Sequence, residues 1–210
     1  MIYKKPGNIE LESLCIINLF EADFNILIGI VFGRRAMTYQ SKNKIIHRDQ
    51  YGRPGGECPD VAFTKILHYH MSHYTKTALG SFESDAASCF DRIVMSLAFT
   101  CYRIWGTEPP PIQMWEKTLY HIIHHVKTGF GTSRKNNKYT KEHPIIGPGQ
   151  GAKSAGAACS TITTPMLRIY DKLAHGLQFC DPTKQIEYVN KAKMFVDDTS
   201  KYMNITSHNG

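Results

Sequence analysis

Two aspartates stand side by side in the Phe-Val-Asp-Asp string at residues 195–198, behind an apolar pair. Adjacent carboxylates repel each other, and a fold tolerates that mainly where a cation neutralises them. On its own the pair is better explained as a solvated turn between two strands. A second acidic cluster, Ser84-Asp85-Ala86-Ala87-Ser88-Cys89-Phe90-Asp91, lies upstream, and a glycine-glutamine loop, Gly147-Pro148-Gly149-Gln150-Gly151, stands between the two. Asp85 and Asp197 are 112 positions apart. Only a topology that closes that separation gives both clusters one purpose.

The rest of the chain is compatible with such a fold. Its 210 residues suffice for one good core, or for a core with a smaller appended subdomain. Hydrophobic residues make up 42% and charged residues 20%, the balance of a soluble globular protein. The net charge of +7 is spread without a long run of one sign, which suits a phosphate-rich partner. Six scattered cysteines without Cys-x-x-Cys spacing read as reduced core thiols of an intracellular protein. The amino terminus lacks the apolar stretch of a signal peptide, and the longest apolar run, 24–32, is too short to cross a bilayer, so no membrane role is expected.

Periodicity predicts a helix over 23–39, capped by Asp23, with Phe24, Leu27, Ile28 and Val31 on its apolar face. The polar, basic stretch 40–56 reads as a loop, and 59–74 as a second helix. A strand over 79–84 delivers Asp85. A helix from 88 to about 105 ends before Glu108 and three prolines, and another covers 112–127. Residues 129–146 read as a hairpin around a Lys-Asn-Asn-Lys turn. A helix of small residues over 152–173 would pack closely on a sheet, and strands 192–196 and 200–205 would join at Asp197-Asp198. The expected class is α+β, a small antiparallel sheet carrying acidic residues and backed by helices. His68-x-His70-x-x-His73 and His121-x-x-His124-His125 have spacings that zinc accepts, but neither has the His-Glu-x-x-His pattern or cysteine pairs. They read as helix-surface histidines, and no metal is assigned to them.

Six ordered stretches resemble the reverse transcriptases, in particular those of non-LTR retrotransposons and group II introns. Phe195-Val196-Asp197-Asp198 is similar to the family's aromatic-x-Asp-Asp box. Asp85 with Phe90-Asp91 is similar to its first acidic motif, and Gly147 to Gly151 to its Gly-x-x-Gln-Gly loop. Asp49-Gln50-Tyr51-Gly52-Arg53-Pro54-Gly55 resembles the fingers motif Gln-x-Gly-Phe-Arg-Pro-Gly. Lys5-Pro6-Gly7 and the stretch 19–24 fall in the expected order.

The resemblance implies polymerase fingers over 1–78 and an incomplete palm over 79–210, without a thumb. It implies an RNA-directed DNA polymerase, a nucleotidyltransferase that joins dNTPs to a DNA primer on an RNA template. Such phosphoryl transfer uses two divalent ions, magnesium with manganese as an alternative. Asp85 and Asp197 would ligate both ions with help from the Ala86 carbonyl, and Asp198 would be a supporting acid. Phe90 would fill the space of a ribose 2′-hydroxyl and so favour deoxynucleotides over an RNA-copying RNA polymerase's substrates. Gln150 and Gly151 would shape the nucleotide pocket, with Lys5 and Arg53 as cations for phosphate. Arg34, Arg35, Lys42, Lys44 and Arg48 would face the template; a solvated basic surface explains each of them as well. Target-primed copying would put the protein in the nucleus.

Two departures bear on activity. Leu14-Cys15-Ile16-Ile17 stands where the family has a fingers arginine, and Gln150-Gly151 continues into Ala-Lys-Ser-Ala-Gly rather than toward Ser-Pro. The chain also ends a dozen residues after Asp198, as expected of a fragment of a longer polyprotein. A working polymerase domain and a noncatalytic nucleic-acid-binding remnant of one both stay open on the sequence.

Overall fold

The computed structural model describes residues 2–3, 14–15, 17–140, 142, 147–180, 183 and 187–205. In chain order the elements begin with strands β1 (Ile2–Tyr3) and β2 (Leu14–Cys15) and helix α1 (Ala22–Ile28). A π-helical segment (Gly29–Ala36) follows, then α2 (Met37–Lys42), α3 (Cys58–Thr75) and β3 (Leu79–Ser84). Next come α4 (Cys89–Arg92), α5 (Met95–Ile104), α6 (Pro109–His121), and the strands β4 (Ile123–Thr128) and β5 (Gly131–Lys138). Helix α7 (Ala155–Leu173) leads to β6 (Leu177–Cys180), β7 (Glu187–Asn190), β8 (Ala192–Phe195) and β9 (Asp198–Asn204). The class is α+β with small antiparallel sheets, as expected. The chain divides into two compact units, Met1–Ala36 with Ser88–Ala158 and Met37–Ala87 with Cys159–Gly210.

In the first unit the core is aromatic. Phe32, in the π-helical segment, is fully buried, with its ring centroid 4.5 Å from that of Trp115 on α6 and 5.1 Å from that of Tyr102 on α5. Phe99 meets Trp115 edge-on at 5.4 Å. Edge-to-face and tilted arrangements at these spacings match the quadrupoles of the rings. Asp23 lies in the first turn of α1, not at its cap, which is Glu21. The expected helix 88–105 is interrupted: Ile93 and Val94 take extended backbone between α4 and α5, a conformation that suits β-branched side chains.

Prolines at its start fit α6, because the first turn needs no N–H donors there. That helix stops at His121, and the apolar residues from Ile123 onward form a strand, not the expected helical extension to 127. The β4–β5 hairpin turns at Gly129-Phe130, with Thr128 opposite Gly131. Gly131 sits at φ +129°, open to glycine alone, whereas the Lys-Asn-Asn-Lys stretch lies within β5, where Asn136 and Asn137 pair with His125 and His124.

The second unit holds a three-stranded antiparallel sheet in the order β3-β9-β8. Registers run from Leu79↔Asn204 to Ser84↔Thr199 and from Ala192↔Lys201 to Phe195↔Asp198. Leu167 of α7 packs with Ala192, Met194 and Tyr170, and Leu177 and Phe179 of β6 pack with Tyr202 and Leu79. The β6–β7 pair was not anticipated from the sequence. Helix α3 starts with a reciprocal capping box: Asp60 accepts from the Glu57 N–H at 3.0 Å while the Glu57 carboxylate accepts in return from the backbone three residues on. Helix α7 starts at Ala155 and buries small residues, among them Cys159, Ser160, Thr161, Thr163 and Thr164 in this unit. Thr164 donates to the Ser160 carbonyl at 2.9 Å, so its hydroxyl is satisfied inside the helix. No helix among the described residues is long and apolar enough to cross a membrane.

Candidate active site

Strand β3 ends with Ser84 opposite Thr199, and Asp85 follows at once. Strands β8 and β9 are joined by a two-residue turn, Val196-Asp197, closed by the Phe195↔Asp198 pair. Asp85, Asp197 and Asp198 therefore gather at one end of one sheet, although 112 residues separate the first from the second. The turn lies one residue earlier than expected, and Asp198 opens β9 instead of completing the turn.

Asp197 is half-buried, while Asp85 and Asp198 are exposed. Burial raises the Asp197 carboxyl above the usual carboxylate range, and the charges of Asp198 and Asp85 push it further the same way; backbone N–H groups of Asp197 and Asp198 act against them. The charges of Asp85 and Asp198 thus bear on Asp197, and carboxylate oxygens at one sheet end are the hard ligands that a divalent cation prefers. Ala86, exposed, adds a backbone carbonyl directly after Asp85.

Val196 holds this turn in an unusual conformation, with φ at +57°. A two-residue turn with positive φ at its first position favours glycine there, and a β-branched residue in that region carries strain of about 1–3 kcal/mol.

The glycine-glutamine loop and Phe90 belong together in the first unit. Gly149 N–H donates to the Phe90 carbonyl at 3.3 Å, and a Cβ on Gly147 would collide with that same carbonyl. Gln150 accepts from the Asn18 N–H at 2.6 Å. The Asn25 side chain fastens the loop's exit, donating to Gly151 O at 3.1 Å and accepting from Lys153 N–H at 2.9 Å. Phe90 is half-buried.

The expected cations divide between the units. Arg34 and Arg35 are exposed in the last turn of the π-helical segment. In the second unit, Lys42, Lys44 and Arg48 are exposed, and the Arg48 Nε stands 3.6 Å from Asp49. Arg53 is half-buried; its Nη2 donates to the Arg48 carbonyl at 3.4 Å and its Nε has no partner among the described residues. Lys5 lies outside the described residues. His68 is not the surface histidine expected, being 1% exposed and packed on Tyr202.

Sequence reasoning missed a buried charge network in the second unit. Lys193 ion-pairs with Asp49, His47 Nε2 lies 2.9 Å from Asp171, and His47 Nδ1 lies 3.8 Å from Asp49. Burial lowers the Lys193 pKa, but the Asp49 partner, with Tyr51 and Tyr188, outweighs it and holds the ammonium charged. His47, Asp49 and Asp171 converge closely enough to hold a metal ion. The Lys193 ammonium already supplies the compensating charge at Asp49, so the geometry is that of an ion-pair network. Nothing in a one-dimensional reading pairs Asp49 with Lys193; the only signal is an acid within the Asp49–Gly55 motif.

No family model matches the chain, and no curated protein matches it in sequence. Solved structures do match. Telomerase from Candida albicans, in complex with a TWJ fragment of telomeric RNA, aligns with a TM-score of 0.55 at 11% identity, over 84% of this chain and 29% of that one. Apo telomerase from Candida tropicalis, truncated from its C-terminal domain, aligns with a TM-score of 0.50 at 15% identity, over 86% and 34%. The chain thus spans about a third of the length of the telomerases it matches. At such identities the likeness establishes the fold, which is that of reverse-transcriptase-like polymerase fingers and palm.

Proposed function

From a reverse-transcriptase-like fold with three carboxylates at one sheet end, we propose that this chain is an RNA-directed DNA polymerase domain. It resembles the non-LTR retrotransposon and group II intron kind, with fingers drawn from residues 1–78 and palm from 79–210. The observation that carries the reading is the juxtaposition of Asp85, at the end of β3, with Asp197 in the β8–β9 turn. A solvated turn would explain Asp197-Asp198 alone but gives no reason for Asp85 to press on the same group.

In this reading Asp85 and Asp197 hold two magnesium or manganese ions, with the Ala86 carbonyl assisting and Asp198 in support. Bound there, such ions would supply the charge that lowers the primer hydroxyl's pKa and offsets the charge on the pyrophosphate. The chain's own residues position the reactants. Phe90 bars the ribose 2′-hydroxyl, and the Gly147–Gly151 backbone, fixed by Asn18 and Asn25, presents Gln150 to the nucleotide. Arg53 is a cation for phosphate, with Lys5 in the same role, and Arg34, Arg35 and Arg48 engage template phosphates. Copying at a nicked chromosomal target would require entry to the nucleus.

Primer extension on an RNA template with dNTPs and magnesium tests this, with Asp197→Asn as control. Extension that disappears in the control supports the polymerase. Template binding that weakens steeply with salt, without any extension, identifies a noncatalytic nucleic-acid-binding remnant instead.

A further inference from the structure

We infer that Gln50 is the positioning residue of the aspartate turn, fixing Val196 and thereby the direction in which Asp197 leaves β8. This inference rests on the polymerase reading for its purpose, though not for its geometry. Gln50 is fully buried, and its primary amide uses its whole hydrogen-bonding capacity. Its Oε1 accepts from Val196 N–H at 3.0 Å and from Gly52 N–H at 2.9 Å. Its Nε2 donates to Val196 O at 3.2 Å and to Thr163 Oγ1 at 2.9 Å.

The Val196 N–H belongs to the peptide plane before its Cα, and the Val196 carbonyl to the plane after it. Holding both planes fixes both backbone dihedrals of Val196, and the second plane carries the Asp197 N–H. Such a restraint is what a valine at φ +57° needs, since its own preference opposes that conformation. The Cys159 thiol adds a contact to the same carbonyl at 3.3 Å.

Gln50 is itself in register. Its segment pairs in parallel with Met194 on β8: Met194 N–H donates to Asp49 O at 2.9 Å, and Tyr51 N–H to Met194 O at 2.7 Å. The amide therefore reaches the turn from a backbone already anchored to the strand that leads into it. Glutamate would lose both donors, and an apolar residue all four bonds. The consequence is a carboxylate site arranged before any cation arrives, with its supporting shell on rigid backbone.

The test compares Gln50→Met, Val196→Gly and the double variant. Amide hydrogen exchange at Val196 and Asp197 is read by NMR, and affinity for Mn2+ alone by the EPR signal of the free ion. Loss of the outer support of a metal ligand typically weakens metal binding about 10–100-fold, and Gln50→Met should fall in that range, with faster exchange at Val196. Glycine adopts positive φ without strain, so in the Val196→Gly background the Gln50→Met effect should shrink to about threefold or less. If Gln50→Met alone does not fold, the double variant should regain the fold; its failure as well overturns the inference. Unchanged Mn2+ affinity in a folded Gln50→Met, or an effect that Val196→Gly does not reduce, also overturns it. Wild-type protein that never extends a primer refutes the polymerase reading, while the exchange and Mn2+ measurements still decide the role of Gln50.

Discussion

Acidification from pH 7 to 4 should cost the fold about 3 kcal/mol through one side chain, His68, on α3. The imidazole is 1% exposed, its centroid 4.4 Å from that of Tyr202 at 76° and 5.8 Å from that of Tyr188. Its Nε2 lies 3.1 Å from the Tyr188 hydroxyl, and its Nδ1 is buried without a hydrogen-bond partner among the described residues. Among the described residues, a proton on Nδ1 would face no acceptor. Burial, and then the Lys193 charge, lower the pKa from 6.5 to about 4. The unfolded chain takes up the proton below its own pKa near 6.5, and the folded chain not until about 4. Between those values the unfolded state binds more protons, so this contribution is complete above 6.5 and is lost as the pH falls to about 4. At about 1.4 kcal/mol per unit, the whole shift amounts to about 3.5 kcal/mol, of which about 3 is lost by pH 4.

Urea denaturation followed by circular dichroism from pH 4 to 7.5 measures it, wild type beside His68→Phe. A phenylalanine keeps an edge against Tyr202 and removes the proton site, so the stability difference between the two proteins should vary with pH by about 3 kcal/mol. Parallel stability–pH curves for the two, or an imidazole that titrates near 6.5 by NMR, would refute the reasoning.

Three further outcomes are expected. Trp115→Ala, which empties the centre of the Phe32–Phe99–Tyr102 cluster, should destabilise the first unit by about 3–5 kcal/mol in the same denaturation assay. Lys193→Met removes the buried cation paired with Asp49, leaving His47 and the exposed Arg48 beside that carboxylate, and should cost about 3–5 kcal/mol; adding Asp49→Asn should recover most of it, as a thermal melt would register. In primer extension, Phe90→Ala should raise ribonucleotide use relative to deoxynucleotide use about tenfold or more, the scale on which a pocket rejects excess volume. An unchanged ratio would show that Phe90 does not read the sugar.

The strand over 79–84 that delivers Asp85 was legible in the sequence and is β3 in the structure. Sequence reasoning placed the aspartate turn one residue late. Propensity argues against valine at positive φ, and the opposing force, a glutamine 146 positions away in sequence, has no local trace. The same limit explains α6. The apolar residues after His121 fit a helix as well as a strand, and only pairing with β5 decides between them. In the β4–β5 hairpin, two asparagines looked like a turn while the flanking glycines made one. The first acidic motif and the glycine-glutamine loop were legible as strings. The fixing of that loop by Asn18 and Asn25, and the burial of Asp49 against Lys193, depend on tertiary proximity and were not.

The amide bridge from Gln50 to Val196 bears on how this hairpin can be handled as a building block. A peptide of residues 192–204 would contain both strands and the aspartates, yet it would lack the group that enforces the turn and should relax toward a different one. A transplant into another scaffold would need residues 49–52 alongside β8, delivered from a separate part of the host chain. Replacing Val196 with glycine is the simplest way to make the graft self-sufficient. The aspartate turn of this protein is thus a two-segment module, and its portability depends on whether the second segment travels with it.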